Sequence, residues 1–326
     1  IPRIHVVGGG VAGLTLAALL DVGRFDVTLY EPRPEPPAIR TGLGMWPGAL
    51  AALDRASLAT GGTLGNRVRR LGHHVDGGSL CDASGTPLLS APANLVMIAR
   101  DDLQRALTAA IPDGVKRVTA SVADPTSLRG ELVVGADGVH STVRRTTFGR
   151  GTASRPTEWL VVRGVSEVET TGTTEYWGHG ALLGRLTLGP GLTYWYTATR
   201  SMLGPRTVEV PQALAEVTPT LDQFGEAAAF IGEVDPAHVL AQRVWLGPTL
   251  RRYARGTTVL VGDAAHAMTP NLVRGACESI LDAARLASEL NDAMSSAEGI
   301  TRAVRRYQVT RYAPSQAARA ASSALM

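Results

Sequence analysis

Lysine is almost missing from this chain. Of its 32 Lys and Arg residues, only Lys116 is a lysine. Any chemistry that needs a side-chain amine must use Lys116 or is excluded. Cysteine is equally scarce. Cys81 and Cys277 stand far apart, which leaves no Cys-x-x-Cys redox pair and no thiolate cluster. No grouping of His, Cys or carboxylates has metal-ligand spacing, so no metal centre is expected. Two free thiols fit a reducing compartment, and a cytoplasmic setting is the expectation. Charge of one sign is lacking too. The formal net charge is +3 over 326 residues, so electrostatics make no case for nucleic acid as partner. No apolar run reaches the length of a membrane span. Ile4 to Leu20 has the hydropathy of a signal-peptide core, but three glycines and a following strand make it a folded element instead.

What is present starts with those glycines. Arg3–Val7 reads as a strand, Gly8, Gly10 and Gly13 form a Gly-x-Gly-x-x-Gly turn, and Leu14–Leu20 opens a helix. Gly8 permits the tight turn, Gly10 leaves room for phosphates, and Gly13 lets helix and strand pack closely. The helix start, at Val11 and Ala12, offers free N–H groups and a partial positive charge. A second strand, Asp26–Tyr30, ends at Glu31, about 20 residues past Gly10, where an acid accepts ribose hydroxyls. Together these residues point to a bound dinucleotide.

Strands and loops then alternate with such elements. Residues 32–42 form a proline-rich loop, and a helix is expected over about 47–59. From Arg67 to Ser90 the short alternating segments read as antiparallel strands. Asp101 begins a helix to about Ile111. Glu131–Val134 is a buried strand leading into Gly135-Ala-Asp137-Gly138. Residues 158–200 form a second β-rich block, with a hairpin around Gly189-Pro190-Gly191. Residues 211–232 read as helical. Thr257–Val261 is another buried strand, ending at Gly262-Asp263, and 275–322 are helical. The expected fold is α/β: a Rossmann-like nucleotide-binding lobe made of 1–66, 96–155 and 245–326, with an inserted antiparallel sheet made of 67–95 and 156–244, and a helical C-terminal segment.

The glycine turn, the segment Gly135 to Arg145 and the segment Val261 to Asn271 together resemble the single-component, class A FAD-dependent aromatic hydroxylases, whose fold is that of para-hydroxybenzoate hydroxylase. The resemblance covers nearly the whole chain. It implies that Gly8, Gly10, Val11, Ala12, Gly13 and Glu31 hold the ADP half of FAD, with Arg33 and Arg40 nearby. It places Arg100 at the pyrophosphate, Asp137 and Gly138 near FAD and the nicotinamide cofactor, and Gly262 and Asp263 at the ribityl chain. Pro270 and the loop to Gly275 would face the isoalloxazine ring. The side chains supply no catalytic residue of their own in this scheme. NAD(P)H docks transiently and reduces FAD, O2 gives a flavin C4a-hydroperoxide, and oxygen passes to an aromatic or polycyclic small molecule by hydroxylation or epoxidation. A natural-product biosynthetic role follows by analogy. Trp177, Arg185, Tyr194 and Tyr196 are the candidate substrate wall, with Tyr194 and Tyr196 on one strand face and Trp195 on the other. The pattern does not say which face looks inward.

The chain departs from the family pattern at Val273, where many relatives carry glycine, and at Leu281, where an acid is common. A β-branched residue is disfavoured if position 273 needs a positive φ. Val273 is thus expected to reshape the loop over the ring. It keeps open a second role, a cyclase or isomerase that retains FAD without redox turnover. A nucleotide-binding module without catalysis is disfavoured by the Asp-Gly and Gly-Asp corners. His266 reads as a local hydrogen-bonding residue. Oligomeric state is not encoded in any feature of the pattern.

Overall fold

The computed structural model describes residues 1–204 and 208–324. Two sheets organise them. The first is built from β1 (Arg3–Val7), β2 (Asp26–Tyr30), β6 (Lys116–Val118), β7 (Leu132–Gly135), β13 (Ala254–Arg255) and β14 (Thr258–Leu260). Its order is β13-β14-β7-β1-β2-β6, and every pairing but β13–β14 is parallel. The central strands are mostly apolar because helices cover both faces. Ile4, Val6, Val27, Val134 and Leu260 are sealed from solvent. The covering helices include α1 (Val11–Leu19), α4 (Arg100–Ala109), α5 (Thr142–Phe148), α9 (Gly275–Asp292) and α10 (Ala297–Ala324).

The second sheet has eight strands: β3 (Gly42–Met45), β4 (His73–Asp82), β5 (Pro87–Ala99), β8 (Arg155–Ser166), β9 (Thr173–Trp177), β10 (Ala181–Gly189), β11 (Leu192–Arg200) and β12 (Val239–Leu246). Their order is β12-β8-β11-β10-β9-β4-β5-β3. The β10–β11 hairpin turns at the expected Gly-Pro-Gly. Three expectations are corrected. The sheet is mixed, not wholly antiparallel: β4 and β9 run parallel. A parallel pair needs a long crossover, and here the chain passes through the first sheet between them. Leu64–Leu71 is the helix α3, not strand, with Thr63 accepting the Asn66 N–H as its cap. The expected lobe boundaries also shift, since β3 and the last residues of β5 pair in the second sheet.

The two faces of this sheet differ. One packs Leu160, Val162, Leu183 and Trp195 against α6 (Val210–Leu221) and Phe224. The other carries Val161, Leu182, Leu186, Tyr194 and Tyr196, joined by Met97 and Trp46. That second face borders the first sheet's strand ends. Between them lies the candidate site.

Candidate functional site

The glycine turn is built as the residues demand. Gly8 has φ +106°, and a Cβ there would lie 2.4 Å from the Ala136 carbonyl oxygen. A Cβ on Gly13 would lie 1.9 Å from the Gly8 oxygen, so helix and turn touch backbone to backbone. A Cβ on Gly10, by contrast, meets nothing within 4 Å. That side of the turn is the open one. Glu31 locks the turn: its carboxylate accepts the Gly9 N–H at 2.6 Å and the Arg33 N–H at 2.8 Å. The Arg33 side chain is exposed. Arg40 pairs with Asp102 at 2.9 Å and with Asp101 at 3.6 Å, so its charge is matched by the first turn of α4.

The corner after β14 arrives at the same place. Gly262 has φ +58° and leads into the short helix α8 (Asp263–His266). A Cβ on Gly262 would sit 3.0 Å from the Ala12 Cβ and 2.7 Å from the Ser279 hydroxyl. Three helix starts, those of α1, α8 and α9, therefore meet at one point. Asp263 is open to the groove, yet it sits deep among protein atoms. Burial pushes its carboxyl pKa up, and His266, Arg100 and Arg144 pull it back. Arg100 opens α4, its N–H held by the Thr41 carbonyl at 2.8 Å. Its guanidinium carries no ion pair among the described residues. Burial lowers its pKa, while Asp263 and Tyr194 favour its charge.

The middle corner carries a local structural task beside the expected one. Asp137 spends its carboxylate on α5, accepting the Ser141 hydroxyl and the N–H groups of Thr142 at 2.7 Å and Val143 at 3.0 Å. It is a helix cap. Gly138, at φ +75°, turns the chain beside it. Arg144, which the sequence reading passed over, is the joint. Fully buried, it donates to the carbonyls of Val139, Thr152 and Ala264. It thereby ties the Asp137-Gly138 corner to α8. Its signal was its place inside the segment; its partner lies too far along the chain to be read locally.

Pro270 starts a single 3-10 turn over Pro270–Leu272, and Val273 closes it with φ 51° and ψ 32°. Val273 is the one non-glycine residue with positive φ among the described residues. The strained conformation anticipated for this position is present. Gly275 then opens α9 on a side with nothing within 4 Å of its Cβ position. Behind this loop lies a buried charge network. Asp282 accepts the Gly262 N–H at 2.9 Å, His266 Nε2 at 2.6 Å and Arg311 Nε at 2.8 Å. Arg311 also holds Glu278 at 2.5 Å. Burial lowers the His266 pKa, but Asp282 more than offsets this and raises it.

The candidate substrate residues do not share one face. Tyr194 and Tyr196 lie side by side with ring centroids 5.9 Å apart, and Tyr194 packs on the backbone of Gly42. The Tyr196 ring crosses Gly184, and its hydroxyl donates to Glu175, which also accepts the Trp177 indole N–H at 2.6 Å. Trp177 is 38% exposed at the rim. Arg185 is the exception. It pairs across the hairpin with Trp195 and lies over the Phe230 ring, on the opposite face. A strand alternates faces, and no local pattern sets the register of Arg185.

Residues 101–320 match the FAD binding domain family, and residues 6–40 match the NAD(P)-binding Rossmann-like domain family. The chain belongs to the FAD-dependent monooxygenase family. The aurachin C monooxygenase/isomerase of Stigmatella aurantiaca is 28% identical over 94% of this chain and 84% of that protein. The 2-heptyl-3-hydroxy-4(1H)-quinolone synthase of Pseudomonas aeruginosa is 31% identical over 87% of this chain and 79% of that protein. HpxO of Klebsiella pneumoniae, solved with FAD and uric acid, shares the fold at TM-score 0.82 and 19% identity, covering 98% of this chain and 87% of that one. The family's FAD fits the groove. Gly10 and Gly275 leave space, Arg100 has a cation to offer, and the Asp263 carboxylate accepts no side-chain or backbone hydrogen bond among the described residues. No helix among the described residues is long and apolar enough to cross a membrane.

Proposed function

We propose that this monooxygenase uses NAD(P)H and O2 to hydroxylate or epoxidise an aromatic or polycyclic small molecule held between the groove and the Tyr194 face. The observation that supports the reading is the close approach of Gly262 to Ala12, which brings the Asp263 corner beside the glycine turn, with Arg100 near enough to Asp263 for their charges to interact. FAD, when bound, accepts electrons from NAD(P)H and activates oxygen. The chain's own residues do the rest. The α1 N-terminus and Arg100 would neutralise the pyrophosphate. Glu31, which steadies the turn, would accept from the ribose hydroxyls, and Asp263 from the hydroxyls of the linker. The α9 N-terminus, at Gly275, would stabilise negative charge at the ring end. Tyr194, Tyr196, Leu182 and Leu186 make a dry wall that excludes water.

The aurachin C and quinolone names of the two relatives favour a flat heteroaromatic substrate. The first relative's double name, monooxygenase/isomerase, and the strained Val273 favour a second reading, a rearrangement without net flavin redox. Anaerobic mixing of the FAD-loaded protein with NADH or NADPH separates the two. Bleaching of the flavin absorbance supports the monooxygenase. An oxidised flavin under every substrate tried would overturn it.

A further inference from the structure

Arg185 was expected to meet the substrate and faces away. A different arginine takes its place. Arg163 lies on β8, where it pairs directly with Tyr196 of β11. Directly paired residues share a face, so Arg163 stands on the groove side with Tyr194, Tyr196 and Val161. Gln242, from the next strand, accepts one of its N–H groups from the side. Its Nε is buried and finds no hydrogen-bond partner among the described residues. No carboxylate reaches ion-pair distance of it there. The nearby acid, Glu175, is three strands away along β8-β11-β10-β9, about 14 Å at the usual spacing, and is engaged by Tyr196 and Trp177. Arg200, at the far end of the same face, is instead matched by Glu158 at 3.2 Å.

Arg163 is also near enough to Arg100 for the two cations to oppose one another. A half-buried guanidinium without a carboxylate, beside a second cation and set in an aromatic and aliphatic wall, is costly unless an anion joins it. Arg100 has the pyrophosphate end of FAD to serve. Arg163 sits on the substrate sheet.

We infer that Arg163 binds an anionic oxygen of the substrate, a carboxylate or an ionised phenol, and so selects acidic aromatic molecules over neutral ones. The guanidinium would meet that oxygen with charge-assisted N–H donors while the ring lies against Tyr194 and Tyr196. This deepens the proposed function and rests on it.

The test uses the FAD-loaded protein and probes in matched pairs. Naphthoate against naphthamide reads the carboxylate, and nitrophenolate against nitroanisole reads the phenolate. Binding is followed by calorimetry and by the shift of the flavin spectrum. One anionic probe should bind at least about tenfold tighter than its neutral twin, the size of one charged hydrogen bond. Arg163→Gln should abolish that preference, Arg163→Lys should keep part of it, and both should retain FAD. Equal affinity of both twins in every pair, no binding of any probe, or equal weakening of both twins by Arg163→Gln would overturn the inference. Failure of the monooxygenase reading shows itself separately, as a flavin that NAD(P)H does not bleach in the unaltered protein.

Discussion

The guanidinium of Arg144 donates to the carbonyl of Ala264 at 2.8 Å, across 120 positions of sequence. With the Val261 N–H to Gly135 carbonyl bond at 3.0 Å, it holds the corner after β7 to the corner after β14. Because the same side chain also serves Val139 and Thr152, its loss strands three carbonyls at once. Arg144→Met should destabilise the fold by at least about 3 kcal/mol, since hydrogen bonds to charged groups are worth about 1.5–3 kcal/mol each. Arg144→Lys should recover little, because an ammonium lacks the planar fork. Urea unfolding checks this; a loss under about 1 kcal/mol would contradict it.

Val273 and Gly44 are coupled. A Cβ on Gly44 would lie 2.8 Å from Val273 Cγ1. Gly44→Ala should therefore cost about 1–3 kcal/mol as an overpacked site. The same change made together with Val273→Gly should cost clearly less. A double-mutant cycle in thermal unfolding measures the difference, and strictly additive values would show that the loop does not rest on β3.

The His266–Asp282 pair gives a pH signature. Asp282 is held below the usual carboxylate range, because His266 and Arg311 outweigh the effect of burial. Its contribution is present above the ordinary carboxylate pKa and is lost as pH falls through the lowered value. His266 is raised, so its contribution is complete below the ordinary value of 6.5 and is lost as pH rises through the folded value. Stability should decline on both sides of a plateau. Asp282→Asn should flatten the alkaline decline and cost about 3–5 kcal/mol on the plateau, the penalty of breaking a buried pair. Melting midpoints across pH report both.

Cys277 should be inert in the folded protein. Burial pushes its thiol up to about 11, and its sulfur donates to the Gly44 carbonyl at 3.2 Å. Maleimide should label it only after denaturant is added. Prompt labelling in buffer would mean that the β3–α9 junction opens.

What the chain revealed in advance was local. The turn at Gly8, Gly10 and Gly13 was legible because the glycine spacing, the strand before it and the helix after it lie within about 20 residues, although the Ala136 carbonyl that crowds Gly8 comes from a distant corner. The Tyr194–Tyr196 face and the position of Val273 were legible for the same reason, from alternation and from one missing glycine. What escaped depends on distant pairing. Asp137 was expected at the cofactor, and its carboxylate also caps the next helix through the N–H groups of Thr142 and Val143. Arg144 acquires meaning only when Ala264 is brought to it. Arg185 and Arg163 cannot be told apart until hairpin register and sheet order fix the faces. The helix Leu64–Leu71 is arginine-rich and short, and its polarity masked its period.

The proposed grip of distant corners on a single FAD is tested directly by fragments of that cofactor. Gly10→Val places a side chain in open space and should weaken binding of both ADP and FAD at least about tenfold, or about 1.4 kcal/mol. Asp263→Ala should weaken FMN and FAD by a similar factor while leaving ADP unchanged. Titrating all three ligands into each variant reads this in one experiment. FAD affinity that is indifferent to Asp263→Ala would contradict the shared trough.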